Sequence, residues 1–111
     1  MRLSDLTKDL KKIAVVYKTA AKEFTVEIEY RTQAVTVGFL SEMQELVGVK
    51  RVVYQIEKVI SSWDLTDDND KVIPVTAEAI EKNGIPIYLL SSMLDAIAQD
   101  KLVLSDDSKN G

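Results

Sequence analysis

The sequence predicts an α+β domain in which an N-terminal antiparallel β-hairpin packs on a bundle of about three to four helices, and three observations carry this expectation. Phe24, Val26, Ile28 and Tyr30 alternate with Thr25, Glu27, Glu29 and Arg31, the period-two pattern of a half-buried strand. Val49, Val52, Val53, Ile56, Val59, Ile60 and Trp63 fall at steps of three and four, with Lys50, Arg51, Gln55, Glu57, Lys58 and Ser62 on the other side, which is the pattern of a one-faced helix. Helix start and stop residues then recur at Thr76, Asn83-Gly84 and Pro86 and divide the second half of the chain into short helical units.

In chain order, Leu3, Leu6 and Leu10 stand at helical spacing with Ser4 placed to cap, which predicts a turn or two of helix. From Lys12 to Lys18 the β-branched residues and the alternation of Ile13, Val15 and Tyr17 predict a strand; a continuous helix from Leu3 to Tyr17 is the competing reading. Only Thr19 to Lys22 separate this strand from the one at Phe24–Arg31, so an antiparallel hairpin satisfies both backbones with the shortest connection. Thr36 caps a helix running to about Val47, with Phe39, Leu40, Met43, Leu46 and Val47 on one stripe and Gly48 as its stop.

The stretch Gly48–Trp63 is expected to be the core helix. Its β-branched residues favour a strand locally, but the length and the spacing favour a helix roughly 24 Å long. An Asp-, Asn- and Thr-rich loop follows up to Pro74; Thr76 caps a short helix, Ala77 to Lys82, and a last helix runs from Pro86 to about Asp100. Residues 1–104 are expected to form one compact domain and 105–111, which hold no apolar side chain, a disordered tail. The expected core is Val26, Ile28, Tyr30, Val52, Val53, Ile56, Ile60, Trp63, Leu90, Leu94 and Ile97.

Composition narrows the chemistry. The chain has 111 residues, 46% of them hydrophobic, enough for one core. It contains neither cysteine nor histidine, so Ser-His and Cys-His nucleophiles and the usual zinc ligands are missing, and carboxylate, lysine or tyrosine chemistry is what remains. Residues 1–63 carry ten Lys/Arg against eight Asp/Glu and residues 64–111 four against ten, so the halves are +2 and −6. That distribution lacks the clustered basic face of a nucleic-acid binder, and no apolar run approaches a membrane span.

The acidic run Asp64, Asp67, Asp68 and Asp70 is the one place where several carboxylates could meet a hard cation. An EF-hand loop begun at Asp64 would put Asn69 where glycine is needed and Val75 where the bidentate glutamate belongs. The run reads as a turn-rich loop, and no metal, cofactor-binding or catalytic residue is assigned. None of the glycines sits in a phosphate-cradling motif. Trp63 lies on the helical stripe and reads as core, and Met43 and Met93 read as core filling.

Three stretches together, YRTQAVTVGFLSEM (30–43), VISSWDLTDDNDKVIPVTAEAI (59–80) and IPIYLLSSMLDAIAQD (85–100), resemble the small tail assembly chaperones of long-tailed bacteriophages. The sharpest element is Trp63-Asp64-Leu65-Thr66-Asp67-Asp68 followed by Pro74 and Thr76-Ala77-Glu78. The chain departs from the family's Asp-Asp-Asp-Gly by reading Asp67-Asp68-Asn69-Asp70, lacks a proline after Arg31, and has Val37 where a helix-starting proline is common. The resemblance implies a non-enzymatic protein that binds the tape-measure protein and assists tail-tube protein to polymerise around it. It also implies action in the host bacterial cytoplasm and absence from the mature virion. A structural subunit of a phage tail or connector is the second reading, and a cation-dependent carboxylate enzyme at the acidic run the third. A homo-oligomer is compatible with all three.

Overall fold

The structure is a computed structural model; it describes residues 1–110, with side chains described to Lys101. In chain order it comprises α1 (Leu3–Thr7), β1 (Leu10–Lys18), β2 (Glu23–Arg31), α2 (Val37–Glu45), α3 (Val49–Val59), β3 (Ile60–Trp63), α4 (Ala77–Lys82) and α5 (Ile87–Asn110). This is an α+β fold in which the N-terminal antiparallel hairpin is followed by helices, and a third strand completes the sheet in the order β1-β2-β3. The expected disordered tail, 105–111, falls where side chains, and at Gly111 the backbone, lie outside the described residues.

The hairpin register pairs Ile13 with Ile28 and Val15 with Val26, so the apolar positions of both strands share one face. The four-residue connection is closed by Thr19, whose N–H donates to the Lys22 carbonyl (2.9 Å) and whose hydroxyl accepts from the Lys22 N–H (3.2 Å). The inner face of the sheet, with Val15, Val26, Ile28, Tyr30, Ile60 and Trp63 buried, is covered by α3 and α5; α2 and α4 pack on α3. Ile56, Leu90 and Ile97 are buried on the helices facing it, while Val52, Val53 and Leu94 are partly buried and pack against the same core.

The single helix expected over Gly48–Trp63 is a helix and a strand. α3 stops at Val59, and Ile60–Trp63 joins the open edge of β2, with Ile28 opposite Trp63, Glu29 opposite Ser62 and Tyr30 opposite Ile60. Four residues of β3 face three of β2, so Ser61 has no partner of its own and the register shifts between Glu29 and Tyr30. That bulge explains the misreading: in a regular strand residues three apart point to opposite faces, but the extra residue lets Ile60 and Trp63 both point inward. A helical i, i+3 spacing and a bulged strand leave the same apolar pattern here. The tie is broken by the backbone groups on the free edge of β2 and by Arg31, whose guanidinium donates to the carbonyls of Lys58 (3.2 Å) and Ile60 (3.0 Å) at the end of α3.

Smaller differences concern the ends of elements. Arg2, not Ser4, precedes the first helical residue of α1, and its N–H donates to Asp5 Oδ2 (3.2 Å). α2 ends at Glu45, and Gly48, at φ 62°, turns the chain into α3 instead of ending α2. α5 continues to Asn110, past the expected end near Asp100, as no glycine or proline interrupts it.

Elsewhere the local signals and the structure coincide. Thr36 Oγ1 accepts from the Phe39 N–H and Thr76 Oγ1 from the Ala79 N–H, each at 3.1 Å. Gly84, at φ 64°, ends α4 with its own N–H on the Glu81 carbonyl (3.2 Å) and the Ile85 N–H on the Ile80 carbonyl (3.1 Å), a Schellman closure.

The acidic loop is organised by its own backbone. Asp67 Oδ1 accepts from the N–H groups of Asn69 (2.8 Å) and Lys71 (3.1 Å), and Thr66 and Val72 form a bridge across the turn. Asp70 adopts φ 61°, a left-handed conformation that costs a side-chain-bearing residue about 1 kcal/mol or more. Asp70→Gly is therefore expected to stabilise the domain by about 0.5–1 kcal/mol and Asp70→Val to destabilise it, as read by urea denaturation midpoints.

Candidate functional site: an apolar groove between three helices

An open groove lies between α3, α4 and the start of α5, with a volume of about 640 Å³. Val49, Val53 and Glu57, successive i, i+4 positions, form its wall on α3 together with Lys50 and Tyr54. Ala77, Ile80 and Glu81 form the α4 wall, and the connection Gly84–Ile87 closes the gap. Leu90 of α5 and Ile80, both buried, form the floor. The lining is mostly apolar, and Val49 is 63% exposed on its rim although it stands on the same stripe as the buried Ile56.

Sequence periodicity treats Val49 and Val53 as ordinary members of the core stripe, because it cannot tell which part of an apolar face a neighbour covers. The Schellman closure at Gly84 holds α4 and α5 apart as separate helices, and Ile85 and Ile87, on either side of Pro86, are placed along the gap between them. Ile87 continues the α5 stripe of Leu90, Leu94 and Ile97, so the signal that marks this surface is Ile85, an apolar residue between the stop at Gly84 and the helix-starting Pro86.

The carboxylates of the acidic run are dispersed. Asp64 Oδ1 accepts from the Glu27 N–H (3.0 Å), extending the link between β2 and β3, and Asp67 is used within its own turn. Among the described residues no three carboxylates converge as a cation site would require. Trp63 is buried and its Nε1–H donates to the Ile73 carbonyl (2.6 Å), so the indole ties β3 to the far side of the acidic loop.

A second polar cluster fastens α5 to the hairpin. The Tyr30 hydroxyl, fully buried, donates to Asp100 Oδ2 (2.5 Å), and Lys11 Nζ lies 3.0 Å from the same carboxylate. Burial and the hydrogen bond to Asp100 raise the Tyr30 phenol far above the usual tyrosine range. The Tyr30 hydrogen bond holds the Asp100 carboxyl below its usual range, with Lys11 adding to this and partial burial opposing it. Both partners are already matched, which makes this a structural latch.

No helix among the described residues is long and apolar enough to cross a membrane. Comparison with known proteins returned no matching family model, curated protein or solved structure.

The latch sets a pH dependence whose sign follows from the shifts. Asp100 is lowered on folding, so its stabilisation is complete above the ordinary carboxylate range and is lost as pH falls through and below about 4. Tyr30 is raised, so its contribution is complete below about pH 10 and is lost as pH rises beyond it. Asp100→Asn is expected to cost about 1–3 kcal/mol at pH 7 and to approach the parent's stability at pH 3, measured by urea melts at both values.

Proposed function

We propose that this protein is a non-enzymatic assembly chaperone of the kind made by long-tailed bacteriophages. In this reading it binds the tape-measure protein in the cytoplasm of the infected host, assists tail-tube protein to polymerise around it, and leaves before the virion is complete. The observation that carries the reading is the open groove between α3, α4 and α5. A long helical protein awaiting assembly presents apolar stripes that need temporary cover, and a groove lined by Val49, Val53, Ile80, Ile85 and Ile87 offers a complementary surface.

The segment most similar to the family also has a defined structural role. Trp63 ends β3, Asp64 bonds back to β2, Asp67 organises the turn, and Thr76 caps α4, one wall of the groove. Asp70, in the left-handed region, stands where the family pattern carries glycine, the residue that conformation favours. These features support the resemblance as a reading of how the Trp-Asp-Leu-Thr-Asp-Asp segment works: it fixes the position of α4 relative to the sheet.

Co-expression with the long, coiled-coil-rich tape-measure protein of the same genome is expected to give a soluble complex that co-purifies, and the tape-measure protein alone to aggregate. Mass spectrometry of finished particles is expected to find this chain missing. Stoichiometric presence there would instead make it a structural subunit of the tail or connector.

A further inference from the structure

The groove is apolar at its floor but charged at its rim, where the carboxylates of the lining outnumber its one cation. Glu57 stands on the α3 wall and Glu81 on the α4 wall, so an occupant would pass between two carboxylates. Lys50 is the single cationic residue among those lining the groove. The ion pairs among the described residues are Lys11–Asp100 and Lys18–Glu23, so Glu57, Glu81 and Lys50 have none. Lys58, next to Glu57 in sequence, lies over the Tyr54 ring at 5.7 Å from its centroid. The rim as a whole carries a net negative charge.

The dimensions fit one face of a helix. From Val49 to Glu57 the α3 wall extends about 12 Å, just over two helical turns. Over that distance a partner helix presents apolar residues at i, i+3 or i+4, and i+7 to the floor, and its flanking positions come level with the two walls. A carboxylate on each wall favours a cation on each flank, and like charges there are disfavoured.

We propose that the groove takes about two turns of an amphipathic partner helix whose apolar stripe is bordered by lysine or arginine, with Glu57 and Glu81 selecting those basic flanks. This rests on the chaperone reading in taking the groove as the working surface, and it adds the charge of the segment selected. Apolar burial supplies the affinity, and the two glutamates discriminate among the many amphipathic helices that a cell contains.

The test uses two synthetic helical peptides of about fourteen residues, with the same leucine stripe and with either lysine or glutamate flanks, titrated into the full chain by fluorescence anisotropy. The basic peptide is expected to bind about tenfold tighter or more than the acidic one at low salt, with the preference shrinking as salt rises. The double variant Glu57→Lys/Glu81→Lys is expected to invert the preference. Val49→Ser, at an exposed groove position, is expected to weaken both peptides without lowering the melting temperature.

Equal binding of the two peptides, failure of the basic peptide to bind, or a preference that survives the double reversal would each overturn the proposal. Its failure is separable from that of the chaperone reading. A tape-measure complex indifferent to Glu57→Lys/Glu81→Lys would remove the groove assignment alone, whereas selective peptide binding without any tape-measure complex would leave the groove and remove the chaperone.

Discussion

The pairing of β2 on both of its edges is the constraint from which the rest of the domain follows. A strand with one free edge, placed against a core, would leave a row of backbone donors and acceptors without partners, and β3 removes that deficit on the side away from β1. The requirement ends α3 at Val59, because the same chain must be helical where it lies on the sheet and extended where it joins it. Arg31 stabilises the change of direction by donating to the carbonyls of Lys58, in the last turn of the helix, and of Ile60, the first residue of β3, so the end of β2 and the end of α3 are held by one side chain. Ser61 absorbs the mismatch in count, and the resulting bulge aims both Ile60 and Trp63 into the core.

Position is then passed along the chain. With Trp63 buried and bonded to the Ile73 carbonyl, the acidic loop returns to β3 within a fixed distance, and Thr76 begins α4 beside α3. α5 is located independently, at its start by the Gly84 closure and Pro86 and further along by Tyr30 and Lys11 holding Asp100. Two helices fixed by separate devices on the same neighbour leave a gap between them where their apolar residues do not meet. The groove is the surface left after each helix has satisfied a stronger constraint elsewhere, which is why Val49 remains on its rim while Ile56, on the same helix, is fully enclosed.

The division between core and groove also bears on function. Residues that sit in the sheet interface are enclosed and matched, and the buried phenol of Tyr30 and the indole of Trp63 each have a hydrogen-bond partner. At the groove the matching is incomplete: Val49 is exposed on its rim, and Glu57 and Glu81 have no ion pair among the described residues. The proposed role, holding another chain temporarily, calls for such a surface on a scaffold that does not rearrange to expose it.

By itself the sequence determined the α+β class, the antiparallel hairpin, the caps at Thr36 and Thr76 and the stop at Gly84, because each depends on residues within a few positions of one another. Alternation in Phe24–Arg31 can be satisfied by one strand geometry only, and Thr76 with Asn83-Gly84 bounds a helix whatever lies around it. Tertiary structure decided the fate of Ile60–Trp63, where a helix and a bulged strand share one apolar pattern and only the open edge of β2, some thirty residues earlier, distinguishes them. It also decided which apolar residues stay uncovered and that Asp100 would meet Tyr30 and Lys11, since periodicity reports that a face is apolar but not what covers it.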